Sequence, residues 1–180
     1  MTIEIPLTRG KVAIIDEDDF EIVSQHKWHA GTDGWNWYAQ TNIPREGGGQ
    51  RTIKMHRLLL GLTDPKIQVD HRDGDGLNNR RENIRACTAS ENQWNTGAQI
   101  NNSSGFKGVN WDKQCRKWKA AIWVNGKRKH LGLHDTPEAA YAAYCADALE
   151  LHGEFHNLGA PPTKRWSKPE FEIIHTGAPR

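Results

Sequence analysis

The chain has 180 residues and a mass of 20.4 kDa, room for one ordinary domain or two small ones and none for large multidomain machinery. Hydrophobic residues make up 36% and eight tryptophans supply bulky apolar anchors, so a folded protein is expected, while no apolar run reaches the roughly 18 residues a membrane helix needs. A formal charge of +2 excludes a uniformly basic or acidic chain, and three cysteines about 30 residues apart, without a C-x-x-C pair, exclude a disulfide framework or a cysteine zinc cage.

The N-terminus carries no basic region followed by a long apolar stretch, so secretion is not expected and a reducing cytoplasm suits the thiols. Ile3-Glu4-Ile5 and Lys11 to Ile15 are predicted strands flanking an Arg9-Gly10 turn. Asp16 to Asp19 reads as the acidic first turn of a short helix that buries Phe20 and Val23. Trp28, Trp35, Trp37 and Tyr38 are expected to pack a small sheet. Gly47-Gly48-Gly49 reads as a hairpin loop, because no Lys-Ser/Thr follows it as a phosphate cradle requires.

Chemistry enters at Val69-Asp70-His71-Arg72-Asp73-Gly74-Asp75-Gly76-Leu77-Asn78-Asn79-Arg80-Arg81-Glu82-Asn83-Ile84-Arg85, followed by Ser90-Glu91-Asn92. Asp70 and His71 end a predicted strand, a Gly- and Asn-rich loop returns as a second strand, and Thr88 to Asn95 starts a helix. Such a strand-loop-strand-helix unit can gather a carboxylate, an imidazole and an amide oxygen around one divalent ion. The pattern resembles the HNH endonuclease family, in the phage-type homing and nicking branch whose last histidine is replaced by asparagine. Met55-His56-Arg57-Leu58-Leu59-Leu60-Gly61 is similar to that branch's lead-in helix.

Carried over by motif, the resemblance makes Asp70 and Asn92 the protein ligands of a metal, His71 the general base and Asn83 the brace of the His71 loop, with Asn78 and Asn79 as rivals for the brace. Phosphodiester hydrolysis needs a deprotonated water and a stabilised extra charge on phosphorus; a neutral imidazole suits the first and a bound cation the second. A carboxylate with an amide oxygen is a hard, incomplete ligand set that suits Mg²⁺ or Mn²⁺ better than structural Zn²⁺. Arg85, then Arg72, Arg80 or Arg81, are candidates to hold phosphates. His56 is expected to pack rather than to bind metal.

The polar stretch from Asn95 to Gly105 reads as a break. Beyond it the charge changes: residues 105–132 hold eight Lys/Arg against one acid, Asp112, for a local net of +7, interleaved with aromatics, the footprint of a nucleic-acid surface. Asn125-Gly126 between two strand-like runs predicts a hairpin, and Thr136 with Pro137 starts an alanine-rich helix. Phe106-Lys107-Gly108-Val109, Trp118-Lys119-Ala120-Ala121-Ile122, Leu131-Gly132, Ala143-Tyr144 and Leu151-His152-Gly153 resemble the DNA-binding domain of plant ethylene-response factors, also found fused to phage HNH nucleases. Alternation places Trp118, Ala120 and Ile122 toward the helix and Lys119, Ala121 and Trp123 outward, so Lys107, Lys119, Trp123 and Arg128 are the expected DNA contacts.

The expected fold class is α+β: a small sheet with a ββα-metal nuclease motif, then a three-stranded antiparallel sheet packed on one helix. The expected domains are a nuclease domain at 1–97, a linker at 98–104, a DNA-binding domain at 105–158 and a flexible tail at 159–180. The resemblance implies a metal-dependent endonuclease that nicks double-stranded DNA as a monomer or a DNA-assembled dimer, away from membranes, in the host cytoplasm if phage-encoded. A non-catalytic sequence-specific DNA-binding regulator is the alternative, and an RNA-directed enzyme a weaker third.

Overall fold

The computed structural model describes residues 1–98 and 102–159. The tail expected at 159–180 lies, apart from Gly159, outside the described residues, as do residues 99–101 of the expected linker. The described residues form two compact units, one of Met1–Thr96, Trp123–Lys127 and Asp147–Asn157, the other drawn from Gly97–Ile122, Arg128–Ala146, Leu158 and Gly159.

In the first unit, β1 (Thr2–Pro6) and β2 (Val12–Asp16) form an antiparallel hairpin with Ile3 opposite Ile15 and Ile5 opposite Ala13. Its turn places Arg9 at φ 62° and Gly10 at φ 65°, the left-handed region that glycine tolerates and an arginine adopts only under local constraint. A 3-10 turn, Glu17–Asp19, leads into α1 (Phe20–Ser24). Val23 is fully buried there, whereas Phe20, expected inside, is 46% exposed; a five-residue helix has one inward stripe, and Val23 takes it.

β3 (His29–Thr32), β4 (Trp37–Pro44) and β5 (Gln50–Lys54) make an antiparallel sheet in the order β3-β4-β5. Trp28 packs in the core and donates its indole N–H to the Val23 carbonyl at 2.8 Å. Trp35, expected to pack the sheet, is 86% exposed, because the β3–β4 turn is closed by the Asp33 carboxylate accepting the backbone N–H groups of Trp35 and Asn36, which leaves the indole at the tip. α2 (Met55–Leu59) adds Met55 and Leu59 to a core of Ala13, Ile15, Val23, Trp28, Ala39 and Ile84.

The unit ends in the ribbon of β6 (Gln68–His71) and β7 (Ile84–Cys87) and the helix α3 (Ala89–Trp94). Thr88 caps α3 in a reciprocal box, its hydroxyl accepting the Glu91 N–H while the Glu91 carboxylate accepts the Thr88 N–H. The loop between β6 and β7 is pinned to β2: Ile14 N–H donates to the Leu77 carbonyl at 2.9 Å and Asn79 N–H to the Ile14 carbonyl at 2.7 Å.

The remaining elements are β8 (Val109–Asp112), β9 (Lys117–Val124), β10 (Lys127–His134) and α4 (Pro137–His152), with strand order β10-β9-β8. Asn125 and Gly126, both at positive φ, turn β9 into β10. In the second unit Val109, Trp118, Ala120 and Ala140 are fully buried, with Phe106, Trp111, Leu131 and Tyr141 packed around them, so the sheet closes on α4 through small alanines. Gly108 is required there, since a Cβ would fall 2.1 Å from the Tyr144 ring. Thr136 caps α4 by accepting the Ala139 N–H at 3.1 Å. A 3-10 turn, Gly153–Phe155, follows α4 and belongs to the first unit.

Candidate functional site

The ribbon β6–β7 sets the site. Asp70 faces Arg85 across the two strands and His71 faces Ile84. Strand alternation sends Gln68 and Asp70 to one side, with Arg85 and Cys87, and Val69 and His71 to the other. The two side chains of the Asp-His pair therefore serve different surroundings.

On the first side, Asp70 is 3% exposed and doubly engaged. Its Oδ2 accepts from Arg85 Nε at 2.7 Å and Nη2 at 2.6 Å. Its Oδ1 accepts from Asn95 Nδ2 at 2.8 Å, and the same amide donates to the His71 carbonyl at 2.7 Å. Asn92, one helical turn earlier, donates its Nδ2 to Gln68 Oε1 at 2.8 Å. The structure thus brings Asn95 onto Asp70 and Asn92 onto the neighbouring side chain of the same strand face. Sequence reasoning missed Asn95, the C-cap of α3, although its spacing of three from Asn92 was a usable signal.

On the second side, the buried His71 ring lies 5.0 Å from the His56 ring, edge on, and 6.1 Å from Tyr38. His56 also meets Tyr38 edge on at 5.7 Å, and Lys54 Nζ sits 3.6 Å from the Tyr38 ring centroid. Burial pushes the His71 pKa below the ordinary imidazole value, against the opposing pull of Asp73, Asn79, Asp70 and Asp75, so the ring is neutral at pH 7. Among the described residues, His71 Nε2 is buried with no hydrogen bond of ordinary geometry, and the Asn79 side chain is its nearest hydrogen-bonding influence. His56 is pushed down to about 2, first by burial and then by the neighbouring His71, Lys54 and Arg57. It packs, as its sequence context indicated.

The loop after His71 is knotted by Asn83. Its Oδ1 accepts the Asp73 N–H at 3.1 Å, and its Nδ2 donates to Asp73 Oδ1 at 3.0 Å and to the Asn78 carbonyl at 2.8 Å. Asn78 completes the knot through Nδ2 to Asp73 Oδ2 at 2.7 Å. Against burial, the largest single effect, the backbone N–H of Asp75 and then the Asn78 and Asn83 amides hold the Asp73 carboxyl below its usual range. Asn79, fully buried, instead donates to the Leu77 carbonyl at 3.0 Å.

The arginines divide. Arg80 pairs with Asp16 and Glu82, and Arg81 grips the buried Asp19 at 2.6 Å; both brace the loop against the N-terminal hairpin and its 3-10 turn. Arg85 and Arg72 converge instead on Glu154, Arg72 Nη2 at 2.8 Å and Arg85 Nη1 at 3.2 Å from the same Oε2. Arg85 also donates to the Glu154 carbonyl at 2.6 Å and lies 3.8 Å over the Phe155 ring. The hydrogen bonds from Arg72, then Arg85, draw the Glu154 pKa down.

The residues fit a hard divalent cation in a limited way. Among the described residues no group of three His, Cys, Asp or Glu side chains is placed to hold a metal, so a site here must draw on amide oxygens and water. Asp70 Oδ1 accepts one hydrogen bond and keeps lone-pair capacity. Asn92 commits its nitrogen to Gln68, which leaves the oxygen as its ligand atom, whereas Asn95 Oδ1 already accepts from Asn157 Nδ2 at 3.3 Å.

Of the expected DNA contacts, Arg128 is exposed, Lys119 is half-buried on β9 and Trp123 is 58% exposed. Lys107 is half-buried, and burial lowers its pKa to about 8, which leaves it mostly charged at neutral pH. Trp111 packs edge on against Trp118 at 5.0 Å and belongs to the core. Ala121, expected outward, is 6% exposed.

Residues 56–94 match the family model described as HNH endonuclease. The chain is 34% identical over 106 residues to Protein 3.8 of Escherichia phage T7, covering 59% of this chain and 87% of that protein. It is 30% identical over 152 residues to an uncharacterized HNH endonuclease, L560, of Acanthamoeba polyphaga mimivirus, covering 82% of this chain and 74% of that protein. A further 81-residue match, at 30% identity, is to APETALA2-like protein 2 of Oryza sativa, of which it spans 19%. No solved structure matches.

Proposed function

The chain belongs to the HNH endonuclease family, and on that premise we propose that it hydrolyses phosphodiester bonds of duplex DNA one strand at a time, with a nuclease part at 1–97 and a DNA-anchoring part at 105–158. The observation that carries the reading is His71: a buried imidazole whose lowered pKa leaves one ring nitrogen unprotonated at neutral pH, on the strand that also carries Asp70. Such a nitrogen can take a proton from an attacking water. Asn83 holds the loop that follows it, and the His56 and Tyr38 rings fix its orientation. Asp70 with the Asn92 amide oxygen is the proposed seat of Mg²⁺ or Mn²⁺, the cation supplying charge stabilisation for the extra negative charge on phosphorus. Arg85 and Arg72 meet phosphate oxygens. Lys107, Lys119, Trp123 and Arg128 supply the anchoring contacts, with most of the salt-sensitive attraction from the basic block at 105–132.

The test is supercoiled plasmid incubated with the full chain and Mg²⁺ or Mn²⁺. Nicked circles are expected before linear DNA, cleavage stops with EDTA, and His71→Ala slows cutting by about 100-fold or more while DNA binding persists. Binding without cleavage under either metal would leave a DNA-binding regulator. Linear product with no nicked intermediate at limiting enzyme would overturn single-strand cutting.

A further inference from the structure

Of the charged contacts around the site, the one least explained by folding is the meeting of two guanidinium groups on one exposed carboxylate. Glu154 is 60% exposed and Arg72 45% exposed, while Arg85 is 9% exposed. The loop-bracing arginine contrasts with them, because Arg81 holds an aspartate that is itself 5% exposed. A buried carboxylate needs its partner; an exposed one is well served by water, and surface ion pairs contribute little to stability.

We propose that Arg72 and Arg85 form a seat for a backbone phosphate of the DNA substrate and that the Glu154 carboxylate occupies this seat in the DNA-free protein, so that binding exchanges one anion for another. The proposal rests on the nuclease reading and deepens it. Both arginines donate to the one oxygen Glu154 Oε2, at 2.8 and 3.2 Å, a convergence of two guanidinium groups that a phosphate oxygen also accepts. The seat adjoins the Asp-His pair: Arg72 follows His71 in the chain, and Arg85 shares its guanidinium with Asp70. The backbone beneath Glu154 is tied independently of its carboxylate. Asn157 Nδ2 donates to the Asn95 carbonyl at 2.6 Å, Arg85 donates to the Glu154 carbonyl, and His152 stacks on Trp94 at 4.3 Å. Only the Glu154 side chain has to turn away for a phosphate to enter. Until it does, apparent affinity is the intrinsic affinity multiplied by the fraction of molecules in which the seat is open.

The experiment measures binding of the full chain to a labelled duplex in EDTA, across a salt series, for the wild type, Glu154→Gln, Arg72→Ala and the double variant. Glu154→Ser is the second variant should the amide substitution disturb folding, judged by melting temperature. Removing the carboxylate is expected to tighten binding by about three- to tenfold, and Arg72→Ala to abolish that gain. Arg72→Ala is also expected to lower the slope of log affinity against log salt by about one. Unchanged affinity in both Glu154 variants, or a gain that survives Arg72→Ala, overturns the proposal. Plasmid cutting run in parallel separates the two readings. A wild type that cuts while Glu154→Gln gains nothing removes the seat alone. A wild type that never cuts, with the Arg72-dependent gain intact, removes the nuclease reading and leaves the phosphate seat.

Discussion

The packing of His56 against His71 makes the stability of the protein depend on pH in a window where few other groups titrate. His56 is 5% exposed on α2 and its pKa falls to about 2 in the folded chain, chiefly through burial, from an ordinary value of 6.5. Between those values the unfolded chain binds a proton that the folded chain refuses, so stability is full above 6.5 and declines as pH falls. From pH 6.5 to pH 5 the loss amounts to about 2 kcal/mol, at 1.36 kcal/mol per unit. The carboxyls of Asp16, Asp33 and Asp73 have lowered values too, but theirs is stability lost only as pH falls from their ordinary value of 3.8, below this window. His71 acts in the same direction as His56 and stays in place as a common background. Urea unfolding followed by tryptophan fluorescence at pH 7 and pH 5, on the wild type and on His56→Phe, isolates the effect because phenylalanine keeps a ring and drops the proton. The wild type is expected to lose about 2 kcal/mol more than the variant over this interval. Equal losses in the two proteins would refute the reasoning and show that water reaches the ring cluster.

Two further outcomes follow from the contacts. Asn83→Ala removes three hydrogen bonds that knot the loop after His71 and is expected to cost about 2 kcal/mol in urea unfolding; a loss under about 0.5 kcal/mol would mean the loop is held by its tie to β2 instead. Lys119→Ala is expected to weaken binding evenly across duplex sequences and to lower the salt slope by about one, read by anisotropy; a change of sequence preference would place Lys119 on a base edge rather than a phosphate.

What could be read from the residues was what short-range chemistry decides. The helix start at Thr88, the Asn125-Gly126 turn and the burial of Trp118, Ala120 and Ile122 each depend on neighbours within a few positions or on strand parity. The candidate site was legible in part for the same reason: Asp70 and His71 end one strand and Arg85 lies on the strand that returns beside it. Which asparagine of α3 reaches Asp70 is set by how a six-residue helix rolls against β6, and no local pattern fixes that roll. Glu154 lies 69 residues beyond Arg85, so its contact arises only from the tertiary fold. Phe20 and Trp35 show the complementary failure: hydrophobic character alone placed them inside, while a one-striped helix and an Asp33-closed turn put them in water.

Crystals of the full chain soaked in Mn²⁺, measured for anomalous scattering, test the proposed centre most directly. A manganese peak is expected within about 2.3 Å of an Asp70 carboxylate oxygen and an asparagine oxygen, that of Asn92 on α3 before that of Asn95 at its C-cap. Asp70 still closed on Arg85 and Asn95 at saturating Mn²⁺, with no anomalous peak beside it, would contradict it.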